Sequence, residues 1–302
     1  MGVLRELWTG ELINAFRHEG LFLARIPSAD QYVNNNVIHL ADIGADPAVL
    51  INNTTYPIAV VSREDDDVTI SLNKFDTENT AVLDDELYGL PYDKPGSVME
   101  QHREVLEEVT SSKAAHQLAP ADNSDTNQPV VLTTGGTDGE TNPRKLCLLA
   151  DIRNAKKKLD LLKVPQKDRI LVLHPDHMNA LLAQDSNFAM QYSINYTEGK
   201  ITKLLGFEIF EYGDMPIYSD VGGTLTKKAF GAAAAPSTDQ VASIFFYAKR
   251  AVKARGAVEM YYQDAKTNPE YRQSVIGFRL YHVCLPKKTT GFGAIVSAIY
   301  TP

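Results

Sequence analysis

The stretch from residue 36 to residue 92 constrains this chain most, because it holds no convincing helix and no means of folding alone. Val37, His39, Ala41 and Ile43 alternate with Ile38, Leu40 and Asp42, the two-residue period of a strand. Val68, Ile70 and Leu72 alternate in the same way with Thr69, Ser71 and Asn73. Between these runs lie the turn formers Asn52, Asn53 and Pro57, the apolar run Ile58 to Val61, and the charged run Arg63-Glu64-Asp65-Asp66-Asp67. The pattern predicts a long hairpin with a loose, polar tip, poor in bulky apolar side chains between residues 45 and 66. A two-stranded ribbon is marginally stable at best in water. Such a segment must lie on something else, which points to a partner surface.

The rest of the chain is long enough to supply a core. At 302 residues it buries about 75% of its unfolded surface, in one large domain or two. A formal net charge of −8 makes it a poor general binder of phosphate backbones, since that binding replaces counterions with Lys and Arg; solubility is the simpler account. Cys147 and Cys284 are far apart and form no C-x-x-C pattern, so two buried free thiols in a reducing cytoplasm are expected. The first residues carry Arg5, Glu6, Glu11, Arg17 and Glu19, which leaves no apolar signal-peptide core. No apolar run is long enough to span a bilayer, so no membrane partner is expected.

Residues 1 to 35 read as an arm rather than a core element, weakly helical from Leu4 to Arg17 and carrying the single tryptophan, Trp8. Ser97-Val98-Met99-Glu100 fits a capping box and opens the clearest helix, which runs to about Leu118 and stops at Pro120. Residues 120 to 142 have the composition of a linker. Asn142-Pro143 predicts the start of a second helix through Leu146, Leu149, Leu159 and Leu162. Its basic cluster, Lys156, Lys157, Lys158 and Lys163, suits a solvated helix end better than a nucleic-acid patch. Arg169 to Leu173 predicts a buried strand, His174-Pro175-Asp176 a helix start, and Ile201 to Tyr212 two strands about a turn at Leu205-Gly206-Phe207. Strands are predicted over 241–252, 257–263, 274–285 and 292–300. The class is α+β.

A search for chemistry finds none. There is no phosphate-cradling glycine loop, no G-x-S-x-G elbow, and only a loose likeness to a calcium loop at Asp122 to Asn127. His174 and His177 fall one helical turn apart and could share a metal face with Asp176, but no third ligand is near in sequence. No catalytic, cofactor-binding or metal residue and no enzymatic activity are expected.

The order of these elements resembles the major capsid proteins of tailed bacteriophages, with the Hong Kong 97-like fold. The segment Arg169-Ile-Leu-Val-Leu-His-Pro-Asp-His-Met-Asn-Ala-Leu-Leu looks like that family's strand-then-helix in the axial domain. Lys200-Ile-Thr-Lys-Leu-Leu-Gly-Phe-Glu-Ile looks like the strand that returns around a glycine. Gln240 to Arg250 and Gly256 to Asp264 resemble the run back into the peripheral domain. The resemblance covers nearly the whole chain and implies an N-terminal arm (1–35), an E-loop hairpin (36–92) and a peripheral-domain spine helix (93–128). An axial domain (129–252), peripheral-domain strands (253–285) and a C-terminal axial strand (286–302) would follow.

The resemblance also implies a structural role in a virion shell, built from pentamers and hexamers of this chain in the host bacterial cytoplasm. The implied partners are a separate scaffolding protein and a portal, an optional decoration protein, and packaged double-stranded DNA bound without sequence specificity. Trp8, Asp65, Asp66, Asp67 and Lys74 are expected at inter-subunit contacts. Some relatives crosslink a hairpin lysine to a peripheral-domain asparagine. Lys74, the single lysine before residue 94, and Asn268 are the corresponding residues, although an ordinary solvated lysine and a turn asparagine suffice. Two rivals remain: an encapsulin-like cellular compartment of the same fold, and a cytoplasmic α+β enzyme, which would need a convergent polar pocket.

Overall fold

The structure is a computed structural model that describes residues 22–34, 36–42, 49–54, 56–58, 60, 62–63, 66–83, 94–140, 142–184, 186, 188–190, 203–268 and 270–300. The predicted hairpin forms. Strands β2 (Val37–Asp42) and β3 (Asp66–Ser71) pair antiparallel from Val37↔Ser71 to Asp42↔Asp66, and β1 (Val33–Asn34) adds to β2. One face of its base is anchored: Ile38 and Leu72 are buried against Ala29, Val252, Ala254 and Val283.

The strand signal after Leu72 leads elsewhere. β4 (Asn73–Asp76) and β5 (Thr80–Leu83), grouped with the hairpin in the sequence, pair instead with β13 (Gln273–Pro286). β13 also pairs along its length with β12 (Ala251–Gln263), with a register shift between Arg255 and Val258. Gly256 stands at that shift, where a Cβ would come within 2.9 Å of the Tyr281 side chain.

Helix α1 (Lys94–Leu118) crosses this sheet and is about 37 Å long at 1.5 Å per residue. It begins three residues before Ser97, so the predicted capping pair lies inside the helix. Pro95 suits the first turn, where an N–H would lack a partner. The helix buries Val98, His102, Leu106, Thr110, Ala114 and Leu118 at four-residue spacing. Val98 and Leu106 pack on Val82, Met260, Ile276, Phe278 and Leu280.

The second unit is a seven-stranded mixed sheet centred on β11 (Asp239–Tyr247). On one side β11 pairs with β14 (Phe292–Val296), which runs parallel to β6 (Val130–Leu132). Elsewhere β11 pairs with β7 (Arg169–Leu173), which runs parallel to β8 (Phe207–Glu211). β9 (Ile217–Val221) and β10 (Thr224–Lys227) complete an edge. Both faces are covered. Leu171, Leu173 and Phe245 meet Ile152, Ala155 and Leu159 of α2 (Leu149–Leu161), and Met178 and Leu181 of α3 (Pro175–Gln184). Ile170, Val172, Ile244 and Phe246 meet the end of α1 on the other face. All five residues of β7 are buried, which is why the sequence there runs apolar without alternation.

Three expectations are corrected. Phe22, Leu23 and Ile26 are buried beside Ala114, Ala115 and Leu118, so the end of the expected arm is core. It is stitched to β12, where Lys253 Nζ donates to Leu23 O (2.9 Å) and Ala29 N to Lys253 O (2.8 Å). Trp8 lies outside the described residues. α2 starts at Leu149 and not at Pro143, because the Asp151 carboxylate accepts from the Leu148 N–H (2.8 Å) and caps the helix there. Arg144 instead reaches the Pro236 and Asp239 carbonyls at 2.7 and 2.9 Å. Finally, the linker is not featureless, since it contributes β6 to the sheet. The expected turn does form: Leu204 and Phe207 exchange two backbone hydrogen bonds around Leu205 and Gly206, both at positive φ.

Candidate assembly surface

Among the described residues no group of three His, Cys, Asp or Glu side chains is arranged to hold a metal. His177 is a core residue. Its Nδ1 lies 2.6 Å from Ser243 Oγ and its Nε2 2.7 Å from Ser297 Oγ, so both ring nitrogens are occupied by hydroxyls. Burial pushes its pKa down to about 3, and His174 adds to the fall. His174 lies against Asp176, with Nδ1 3.3 Å from Oδ2. Burial lowers its pKa too, despite Asp176. The two cysteines are buried free thiols, each pushed up to about 12 by burial.

The hairpin carries the unusual chemistry. Far from its buried base, Val49, Ile51 and Val60 are 86%, 84% and 97% exposed, and Leu50, Tyr56 and Ile58 are also open. The expectation of a tip poor in bulky apolar side chains is therefore wrong at six described positions. The signal was present, as Val49-Leu50-Ile51 and Ile58 to Val61 flank the polar Asn52 to Thr55. Exposed apolar side chains gathered in one segment are a feature of interaction sites, because showing them to water gains nothing. Asp67 faces solvent and holds His39 across the ribbon, Oδ2 to Nδ1 at 2.8 Å. Asp66 is described as backbone in β3, and Asp65 lies outside the described residues.

Lys74 and Asn268 are not brought together. Lys74 Nζ lies 3.3 Å from Asp76 Oδ2. Asp76 also accepts from Arg279 Nε at 2.6 Å, and this hydrogen bond, with help from Lys74, holds the carboxyl below its usual range. Lys74 sits opposite Tyr281, whereas Asn268 stands beyond the far end of β13, where its Oδ1 accepts from the Tyr271 N–H. Gln273 to Tyr281 alone spans about 26 Å of strand, so any bond between the pair must join two subunits.

No family model matches this chain, and no curated protein matches it. Solved structures do. A structure from Mycobacterium phage Che8 superposes with a TM-score of 0.64 at 13% identity, over 92% of this chain and 91% of that one. The capsid of Ralstonia phage GP4 gives 0.64 at 9% identity, over 94% and 92%. A virus-like particle from Pyrococcus furiosus gives 0.55 at 11% identity, over 97% and 99%. The chain has the α+β Hong Kong 97-like fold of these shells.

Proposed function

We propose that this chain is the major capsid protein of a tailed bacteriophage. Many copies, as pentamers and hexamers, close into the icosahedral head that encloses the double-stranded DNA genome. One observation carries the reading: a subunit of capsid fold holds six large apolar side chains in the open on an extension beyond its own core. Interfaces made by such extensions are large and obligate, of the order of 2,000–5,000 Å². Repeating one contact set under closed symmetry gives a shell. Assembly takes place in the host cytoplasm, with a scaffolding protein and a portal as partners and room for a decoration protein. Trp8, Asp65, Asp66, Asp67 and Lys74 belong to inter-subunit contacts. The net charge of −8 suits an inner face that releases packaged DNA without sequence-specific binding.

Negative-stain microscopy of the purified protein, with sedimentation, tests this. Closed shells or rings of five and six subunits are expected, and a stable monomer of 33.3 kDa at high concentration defeats it. A second reading, an encapsulin-like cellular compartment, draws on the likeness to the Pyrococcus particle, which spans 99% of that chain. Particle contents separate the two: double-stranded DNA for a phage head, a cargo enzyme for a compartment.

A further inference from the structure

The lysines at the end of α2 have two different fates. Lys156 Nζ lies 3.5 Å from Asp160 Oδ2 and Lys158 Nζ donates to the Val130 carbonyl at 3.0 Å, so both are used within the subunit. Lys163 is exposed, and the fold brings further cations to it from distant parts of the chain. Three loops meet at one end of the mixed sheet: 162–168 after α2, 248–250 between β11 and β12, and 287–291 between β13 and β14. The Ala248 N–H donates to the Asp168 carbonyl at 3.0 Å, and the Lys287 N–H to the Arg250 carbonyl at 2.6 Å. Arg250 Nη1 donates to the Thr290 carbonyl at 2.8 Å. A Cβ on Gly291 would lie 3.6 Å from the Val164 side chain, so the first and last loops touch as well.

Together these loops carry Lys163, Lys167, Lys249, Arg250, Lys287 and Lys288 against one carboxylate of their own, Asp168. Asp168 holds Lys249 at 3.2 Å. Lys163, Lys167, Lys249 and Lys288 are exposed, and Arg250 and Lys287 are half-buried. In a chain of net charge −8 this is a local reversal of sign. Like charges so placed repel one another, and an anion relieves that repulsion.

The residue types say which anion. Five of the six are lysines, point charges on flexible stems, which neutralise phosphates without reading sequence. The aromatic residues that adjoin the loops, Tyr247 and Phe292, are packed in the core and offer no open ring on which the bases of a single strand could stack. We propose that this patch binds the phosphate backbone of double-stranded DNA, one contact per subunit, while the acidic remainder of the chain repels it. The inference rests on the shell-building reading for the identity of the polyanion.

Fluorescence anisotropy of a short labelled DNA duplex, added to the full-length protein before shells close, tests it. Wild-type affinity should fall about 10²-fold between about 50 and 200 mM salt, as when about four phosphates are neutralised. Lys167→Glu with Lys288→Glu should weaken binding at least tenfold at low salt and flatten the salt dependence. Lys266→Glu with Arg272→Glu makes the same change in net charge at exposed positions by the far end of β13, and should have a much smaller effect. Both pairs should melt at the wild-type temperature. No duplex binding by the wild type overturns the patch and leaves the shell reading standing, and equal losses in the two pairs overturn it by reducing the effect to net charge. Poly-L-glutamate that binds the wild type more tightly than the duplex does, at equal charge, points to an acidic protein segment and overturns the DNA assignment. Wild-type protein that binds duplex as described but never leaves the monomer keeps the patch and defeats the shell reading.

Discussion

Replacing Ile51 and Val60 by serine separates assembly from folding. In the single subunit these side chains are 84% and 97% exposed, so nothing in the chain covers them. Surface substitutions of that kind change stability by less than about 0.5 kcal/mol. If a neighbour buries them in the shell, each contributes roughly 1.5–3 kcal/mol of apolar transfer free energy. The pair then stabilises each contact by about 3–6 kcal/mol, an association constant larger by on the order of 10² to 10⁴. The double variant should melt at the wild-type temperature and form no shells at concentrations where the wild type closes them. Light scattering against concentration gives the assembly threshold, and circular dichroism gives the melt. Particles forming at the wild-type threshold would refute the reasoning, because the extension would then bury nothing. A melt lowered by several degrees would refute it differently, by showing that the extension packs within its own subunit.

Acid should unfold the subunit early. Burial lowers the pKa of His177 to about 3 and of His282 to about 4, the latter with help from Arg255 and Lys253. Below about pH 6.5 the unfolded chain takes up these protons and the folded one refuses them. Stability is thus full above pH 6.5 and falls toward pH 3–4, by about 2 kcal/mol per histidine at pH 5; denaturant melts that stay flat from pH 7 to 4.5 would contradict this. Leu106→Ala empties a site shared with Val98, Ile276 and Phe278, and should cost about 2–5 kcal/mol in chemical denaturation, where a loss under 1 kcal/mol would mean that α1 is not seated as described. Particles boiled in detergent should give a single band near 33.3 kDa, since Lys74 is already held by Asp76; a ladder would show the bond to Asn268 of another subunit.

What the sequence disclosed follows from how each element is covered. β2 and β3 have one packed face and alternate, so period two exposed them. β7 is covered on both faces and reads as an unbroken apolar run. The same logic explains the losses. Phe22, Leu23 and Ile26 sit at spacings of one and three residues around a single 3₁₀ turn, too short for either period to register. β6 is three residues long and lies in a polar stretch, and its strand character comes from pairing with β14, a partner more than 150 positions away. Asn142-Pro143 carries a sound helix-start signal, but Asp151, buried and held by Thr134 Oγ1 at 2.6 Å, offers the stronger cap, and the helix starts six residues after Pro143 at Leu149. In the candidate surface the acidic cluster and the apolar run Ile58 to Val61 are both legible in the sequence. That Ile58 and Val60 are open to solvent is not, because exposure is a property of the fold and not of the residue.

Under the proposed function, the anchoring of α1 lets one chain be both a stable subunit and a shell component. Its first half lies on the β12–β13 sheet and its last turn lies on the mixed sheet. The end of the helix is fixed by polar contacts. Lys227 Nζ donates to the His116 and Ala119 carbonyls at 2.8 and 2.6 Å, and Tyr218 Oη donates to the Pro120 carbonyl at 2.6 Å. A cation at a helix C-terminus is favourable, and here it also satisfies two carbonyls that the helix cannot. The helix is thus a rod held at both ends, by the β12–β13 sheet and by the mixed sheet. The base of the hairpin is attached by Ile38 and Leu72, with Leu40 and Ile70 beside them, and among the described residues beyond them Val49, Ile51 and Val60 are exposed. Folding free energy thus sits in the buried clusters under α1, α2 and α3, and the apolar surface left over is what a neighbour can use in the proposed shell.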